Sequence, residues 1–370
     1  MTAMPPALRV LNVFGRLERG GAELRSIELA EAFPPDRVRS DFLVLTGLEG
    51  VLDRRVRAAG GEVVKCRLGL RFPMHFYRLL RERQYHVVHS HVHFFSGVIL
   101  ALARLGGVPG RVAHLHTAIV NDRSDTPARR AQLAVCRALL DRNATDIVAV
   151  CEGAMDAAWE GWRADPRCRV IYGAFRPDRL SGVPARRSDT PTIVNVGSIK
   201  PLKNQLRLIG ILRHVVAKVP GARLLLIGRD SGAYGRQIRL AAAEAGLADR
   251  VLFVGEVEEP LPWIARAQVM IVPSLWEGLP GAVLEACAVG TPAVVSDQPG
   301  TREIARYFPQ VDLLSLDQTD ERWAAVALAA LGRGASSPAD AAERLARSPF
   351  SFDRSADAHF ELWSRAHATA

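Results

Sequence analysis

Short apolar runs separated by helix-length segments recur along the whole chain, and this alternation limits the fold more than any other feature. Leu8 to Phe14, Phe42 to Leu45, Glu62 to Cys66, Val87 to Ser90, Arg111 to Thr117, Ile147 to Val150 and Val170 to Tyr172 read as strands. Helix patterns lie between them at Ala22 to Phe33, Val51 to Ala59 and Met74 to Gln84, and further on up to Arg142 and up to Trp162. Apolar runs flanked by helices predict a parallel sheet covered on both faces. Leu180 to Pro191 then carries proline, serine and charge without periodicity, which marks a linker. Beyond it the alternation restarts, with strands at Thr192 to Val196, Arg223 to Ile227, Val251 to Val254, Val269 to Pro273, Pro292 to Ser296 and Val311 to Leu314. Helix patterns run here from Asn204 to Lys218 and up to Gly246. A chain of 370 residues exceeds one ordinary core. The expected fold is α/β, with two doubly wound Rossmann-like domains facing a central cleft.

The most informative stretch, Met270 to Asp297, reads M-I-V-P-S-L-W-E-G-L-P-G-A-V-L-E-A-C-A-V-G-T-P-A-V-V-S-D. Proline is pre-set for the first helical position, so a helix is expected from Pro280 through Ala282 and Val283 to a stop at Gly290. Gly278 and Gly281 have no side chain to keep a ligand off the backbone, and the amides of the first turn form an anion site suited to phosphate. Glu277 and Glu285 repel phosphate but suit hydroxyls, and Glu285 lies roughly 7.5 Å along the helix from Pro280. Two carboxylates flanking a phosphate point to a nucleotide diphosphate sugar. The plain alternative is that acidic residues collect at helix amino ends because the dipole favours them.

In the first half, Gly15, Gly20 and Gly21 form a glycine loop between strand and helix, without the G-x-G-x-x-G spacing of a dinucleotide site. His86, His89, His91 and His93 alternate, followed by His114 and His116. In a strand, His89, His91 and His93 share a face near the carboxyl end, where open α/β sheets bind ligands. No carboxylate or cysteine completes a metal set, so no metal is expected. The plain reading of each histidine is a hydrogen-bonded residue at a strand end, and it is preferred for His86 and His89.

Composition excludes several classes. Hydrophobic residues at 48% and charged residues at 24% are those of a globular chain. No apolar run approaches the ~20 residues of a membrane span, and the opening residues lack a signal peptide, so a cytoplasmic protein is expected. Cys66, Cys136, Cys151, Cys168 and Cys287 show no C-x-x-C pair and read as reduced, mostly buried thiols. Residues 1–185 hold 27 basic and 19 acidic residues, a net +8 of the overall +9. That excess favours anionic partners, but no nucleic-acid motif accompanies it, so no nucleic acid is expected. Phe72 to Gln84 reads first as a sheet-covering helix with a charged outer face and second as a segment docked on a membrane surface.

Taken whole, Pro273 to Asp297, with seven residues between Glu277 and Glu285, closely resembles the signature of family-4 retaining glycosyltransferases of the GT-B fold. G-G-A-E at Gly20 to Glu23, the histidine-ended strands Val87 to Gly97 and Arg111 to Thr117, and G-S-I-K-P-L-K-N-Q at Gly197 to Gln205 resemble further landmarks of that family. So does the terminal helix pattern Ser348 to Trp363, with Phe360 and Trp363 on its buried face. The resemblance implies an N-terminal acceptor-binding domain, 1–185, a nucleotide-sugar-binding domain, 186–347, and a helix, 348–370, crossing back to the first. It implies catalytic roles for His116, Glu277 and Lys203. Glu277 meets the donor sugar, Glu285 the ribose, Lys203 the diphosphate, and His116 the sugar and diphosphate, with His114 as runner-up. Gly20, Gly21, Gly197, Ser198, Val254, Gly255, Gly278, Leu279, Pro280, Gly281, Ala282 and Val283 complete the donor site, Val254 and Gly255 meeting the base through their backbone. Glu23, His91 and Thr117 are expected toward the acceptor, with further acceptor contacts from a loop over Asn121 to Arg130.

Two residues depart from the family pattern. Cys151 stands where serine is usual, and Ser198 stands where an arginine usually meets the diphosphate, with Lys200 or Arg229 as its replacement. The implied activity is metal-free and cofactor-free retaining transfer of a hexose from a nucleotide diphosphate sugar, a UDP-sugar first. The acceptor is a saccharide or lipid-linked saccharide of surface polysaccharide assembly, with peripheral membrane contact through the basic first domain. Alternatives are transfer to a soluble natural product, a GT-B sugar-nucleotide epimerase and a non-catalytic binding module.

Overall fold

A computed structural model describes residues 7–117, 126–183, 188–230, 232–333 and 336–368. The chain divides into two compact units, one of Met1–Gly173 with Asp353–Ala370 and one of Ala174–Phe352. Residues 174–179 thus belong to the second unit, although they precede the unpatterned stretch in sequence.

The first unit is built on seven parallel strands, β1 (Leu8–Phe14), β2 (Val38–Val44), β3 (Val63–Lys65), β4 (Val87–Ser90), β5 (Gly110–Leu115), β6 (Asp146–Ala149) and β7 (Cys168–Val170). Their order is β3-β2-β1-β4-β5-β6-β7. β2 begins earlier than its apolar run because Ser40 and Asp41, polar in sequence, are buried: Asp41 accepts from the Glu62 amide at 2.9 Å and from the Tyr85 hydroxyl at 2.9 Å. β4 stops at Ser90, so His93 leaves the shared face expected for it and opens a 3-10 turn, His93–Phe95, with φ +51°. The helix Phe72–Arg83 buries Phe72, Phe76 and Leu80 at four-residue intervals and presents its arginines outward. The last helix, Phe352–Ala368, seats Leu362 and Trp363 in the core with Val10, Val87 and Val112.

Six parallel strands form the second unit: β8 (Thr192–Val196), β9 (Arg223–Ile227), β10 (Val251–Gly255), β11 (Val269–Val272), β12 (Ala293–Ser296) and β13 (Val311–Leu314), ordered β10-β9-β8-β11-β12-β13. Both sheets therefore reverse their winding once, between β1 and β4 and between β8 and β11, and loops at such switch points are where ligands bind. The helix expected from Asn204 starts later, at Arg207, because Pro201–Lys203 form a 3-10 turn and Asn204 takes φ +54°. Asparagine tolerates that left-handed backbone better than most residues. In the first unit Cys151 caps the helix Glu152–Ala158, its Sγ accepting from the Ala154 amide at 3.3 Å, so it fills the capping role of a serine.

Gly97, in the helix Ser96–Leu105, meets the helix Pro127–Asn143 so closely that an added Cβ would lie 2.1 Å from the Cys136 carbonyl oxygen. Gly97→Ala should therefore destabilise the first unit by about 1–3 kcal/mol, although alanine favours a helix elsewhere. Urea unfolding would read this directly, and an unshifted midpoint would mean that the two helices do not pack at backbone distance.

Candidate active site

In the second unit the predicted donor residues gather at the carboxyl ends of β8, β10 and β11. β8 runs into Gly197 and Ser198, then into the 3-10 turn that ends at Lys203. Gln205, fully buried, braces this turn by donating to the Ser198 carbonyl at 3.0 Å and accepting from the Lys200 amide at 3.4 Å. β11 runs into the loop carrying Ser274, Glu277 and Gly278, and the two loops are tied across the switch point. The Leu275 amide donates to the Leu202 carbonyl at 2.9 Å, and the Asn204 side chain to the Pro273 carbonyl at 3.1 Å. Lys203 Nζ lies 2.6 Å from Glu277 Oε1, and Ser274 Oγ donates to the same oxygen at 2.7 Å. With its side chain only 10% exposed, Glu277 gains far more from this pair than a surface carboxylate would.

The helix expected from Pro280 begins one residue later, Gly281–Ala288, with Pro280 as a cap lacking any side-chain hydrogen bond. The Val283 amide already donates to the Pro280 carbonyl at 3.1 Å, so the amides that could meet an anion at this end are those of Gly281 and Ala282, and a Cβ on Gly281 would meet open space. Gly278, by contrast, is pressed from behind: a Cβ on Gly300 would lie 1.6 Å from its carbonyl oxygen. At β10 the pairing with β9 slips between Phe253 and Gly255, leaving Val254 as the extra residue of a bulge that loosens its backbone from the ladder. Glu285, one and a half turns into the helix, is buried and bonded by Arg179 Nη1 at 2.9 Å. Sequence reading did not single out Arg179, Ser274, Asn204 or Gln205: Arg179 and Asn204 are marked by partners 106 and 69 residues away, and Ser274 and Gln205 by side-chain bonds within loops that carry no regular period.

In the first unit Gly20 caps the helix Gly21–Ala32, and Glu23 folds back over it, its Oε2 lying 2.2 Å from where a Gly20 Cβ would be. The histidines form a stack. His91 and His116 rings lie 5.1 Å apart with Nδ1 and Nε2 2.9 Å from one another, and His91 Nε2 lies 3.4 Å from Asn12 Oδ1. With the Asn12 oxygen accepting, His91 carries its proton on Nε2 and His116 donates from Nε2, which leaves His116 Nδ1 as an acceptor. A second chain runs from the Trp363 indole to His89 Nδ1 at 3.3 Å and from His89 Nε2 to His114 Nδ1 at 3.1 Å. His93 Nε2 bonds the Thr117 carbonyl at 3.1 Å. His86 is bonded as well, accepting the Arg9 amide at 2.9 Å. The loop expected over Asn121 to Arg130 falls partly outside the described residues; at its end Thr126 caps the helix Pro127–Asn143.

His89, His91 and His114 place ligand-type nitrogens within 4.8 Å of one another. In the ligand-free site one of these nitrogens carries a proton. An indole N–H only donates, so the Trp363 contact puts the His89 proton on Nε2, the nitrogen that faces His114. A three-histidine site would have to displace that proton and break the hydrogen bond to His114.

Glycine loops at the carboxyl ends of parallel strands in both units, with an uncapped helix amino end and two carboxylates in the second, define an α/β protein whose ligands would bind at the switch points of its sheets, and the class is given by the known proteins similar to this chain. Residues 19–179 match the model of Glycosyltransferase Family 4, and residues 190–332 that of Glycosyl transferases group 1. The chain is 30% identical over 334 residues to the putative glycosyltransferase EpsF of Bacillus subtilis, covering 85% of this chain and 86% of that one. It is 25% identical over 319 residues to the capsular polysaccharide biosynthesis glycosyltransferase CapH of Staphylococcus aureus, covering 86% and 89%. Among solved structures, Anabaena HepE in complex with UDP and glucose superposes with a TM-score of 0.80 at 17% identity, over 97% of this chain and 100% of that one. The chain belongs to the family-4, group 1 glycosyltransferases, and its fold is GT-B.

Burial holds His116 down to about 3 and His359 down to about 4, and it holds His89, His91 and His114 well below their ordinary value. Above about pH 6.5 folded and unfolded chains both keep these rings neutral and nothing is lost. Below it the unfolded chain binds protons that the folded one refuses, so stability falls as pH drops toward 4, by up to about 1.4 kcal/mol per pH unit for each ring. The unfolding midpoint should therefore drop clearly between pH 7 and pH 5. A flat midpoint over that window would mean that the rings protonate freely in the folded unit.

Proposed function

We propose that the chain is a metal-independent, retaining hexosyltransferase. It takes the sugar from a nucleotide diphosphate sugar, a UDP-sugar first, and passes it to a saccharide or lipid-linked saccharide acceptor in surface polysaccharide assembly. The observation that carries the reading is the Lys203–Glu277 pair beside the uncapped amino end of the helix Gly281–Ala288. A leaving diphosphate develops charge where that ammonium and those amides stand, and fixed donors in a water-poor site stabilise it without reorganisation. Glu277 orients the sugar hydroxyls and Glu285 the ribose diol. His116, with Nε2 committed to His91, offers Nδ1 to a sugar hydroxyl.

In the transfer itself, the bond from the anomeric carbon to the phosphate oxygen breaks and the bond to the acceptor oxygen forms on the same face. The acceptor's proton passes to the departing phosphate oxygen, so no protein base is required. Lys200 or Arg229 supplies part of the charge that Ser198 lacks; Ile199 and Asp230, their chain neighbours, pair with one another beyond the ends of β8 and β9. The polysaccharide acceptor is favoured by CapH, named for capsular polysaccharide, and the uridine donor by HepE, solved with UDP and glucose.

A cytoplasmic site at the inner membrane face fits the first unit's surface. Beside the helix Phe72–Arg83 an open groove of about 640 Å³ carries Lys65, Arg67, Arg71 and Arg78 against a single carboxylate, Glu82, and Leu70 in its lining stands fully exposed. No helix among the described residues is long and apolar enough to cross a membrane, so contact would be through such a surface.

A panel of UDP-, GDP-, ADP- and dTDP-sugars should give one selective thermal shift, equivalent to about 2.7 kcal/mol at a hundredfold excess over Kd. With that donor, Glu277→Ala should cost at least about a hundredfold in kcat, and proton NMR should show the donor's anomeric configuration kept in the product. Transfer at the wild-type rate by Glu277→Ala would overturn the site assignment, an inverted product the retaining chemistry. Turnover of donor alone to an epimer would favour an epimerase.

A further inference from the structure

Arg179 is absent from every role assigned above, yet it bonds two carboxylates, one of them Glu285. It sits in the 3-10 turn Pro177–Leu180 at the start of the second unit. Its guanidinium lies 5.3 Å from the ring centroid of Phe175, which is buried, donates its amide to the Phe350 carbonyl and pairs with Ser351. One edge grips Glu259 with two bonds, Nε to Oε2 at 3.1 Å and Nη2 to Oε1 at 2.8 Å. The remaining terminal nitrogen, Nη1, bonds Glu285 Oε1 at 2.9 Å. Glu259 lies in the loop that leaves the β10 bulge, and its Oε1 also accepts from the Leu261 amide at 3.2 Å. One planar cation therefore ties the loop after β10 to the carboxylate on the helix after β11.

We infer that Arg179 is the positioning residue of the nucleoside subsite, holding the Glu285 carboxylate in the orientation that receives a ribose cis-diol. The inference rests on the nucleotide-sugar reading of the site. A carboxylate accepts two hydroxyl donors well only when its plane is fixed, and Glu285 is at the end of a rotatable side chain in a buried place where an unpaired charge is costly. A guanidinium fixes that plane because its fork is itself rigid and is anchored at Glu259 and on Phe175. A lysine ammonium, a point charge on a flexible stem, would neutralise Glu285 without orienting it. The other role for Arg179 is to hold the unit together, and the two roles separate in what they predict for ligand discrimination.

The test is calorimetric binding of UDP, GDP and ADP and of their 2′,3′-dideoxy counterparts to the full chain, as wild type, Arg179→Met, Arg179→Lys and Glu259→Gln, with melting curves for each. The wild type should prefer the ribose form of its nucleotide by at least about tenfold, as expected for two hydroxyl bonds to a charged group. Arg179→Met and Arg179→Lys should bring the preference to within about twofold of unity, the lysine variant while melting near the wild type, and Glu259→Gln should fall between. Since the readout is a ratio within each variant, a general loss of stability does not imitate it. Wild-type discrimination in Arg179→Lys and Arg179→Met would overturn the inference and leave Arg179 a structural residue. A wild type that binds none of the diphosphates would overturn the nucleotide-sugar reading, and this inference with it.

Discussion

Parallel strands cannot be joined by hairpins, and that constraint places everything else in this molecule. Each connection must cross back over a sheet face before the next strand starts, so all loops leaving carboxyl ends emerge along one edge. Every recognised strand pair here is parallel. Gly20 follows β1, His91 follows β4 and His116 follows β5 in one unit; in the other Gly197 follows β8, Gly255 ends β10 and Glu277 follows β11. Residues scattered over the sequence reach one edge of their sheet without any contact of their own having to bring them there. The contacts then refine what topology has assembled. Across the β8–β11 switch, two hydrogen bonds from the loops and one ion pair set the Lys203–Glu277 geometry.

Legibility from sequence follows the range of the interaction. Strands with buried apolar faces, such as Leu8–Phe14, Val87–Ser90 and Arg223–Ile227, end where the sequence pattern ends, because burial of each side chain is decided by its own hydrophobicity. β2 is longer than its apolar run because Asp41 is buried against partners at Glu62 and Tyr85, and nothing local announces that exchange. The glutamates of the site were readable because they sit in one short string with glycines and a helix start. Arg179 was not readable, since its partners lie 80 and 106 residues away and its own neighbours resemble an ordinary turn. His93 was misplaced for a different reason: alternation continues past the point where the ladder stops, and period alone does not report a strand's end.

The histidine stack shows how burial turns several basic groups into a neutral, directional array. Five rings, including His359 from the terminal helix, lie with centroids 4.2–5.7 Å from their nearest ring neighbours. Were any of them charged, it would face like charges and little water, so neutrality is enforced collectively. Neutral imidazole has one donor and one acceptor, so fixing a single member fixes the direction of its neighbour. Trp363 and Asn12 act as those fixed ends, one a donor only and the other presenting its oxygen. A helix at the end of the chain thereby sets the proton positions of His89 and His114, in the strands β4 and β5.

Ser198 is instructive because charge balance, more than the count of motif residues, decides whether a phosphate site can work. Lys203 is already paired with Glu277, so in the ligand-free site its positive charge is largely cancelled. An ammonium has three donors, however, and a diphosphate arriving at the helix amino end can share it without displacing the carboxylate. On the proposed reading the pair then does two things: Glu277 keeps Lys203 from reaching into solvent, and Lys203 lowers the cost of a carboxylate beside an anionic ligand. An arginine at 198 would add attraction for the bound donor and the departing diphosphate alike, and only the part that grows as the bond breaks speeds transfer. Serine gives up mainly the shared part if the charge that develops at the leaving oxygen is met by Lys203 and the first-turn amides. On that argument the substitution weakens the grip on the donor more than it slows the chemistry.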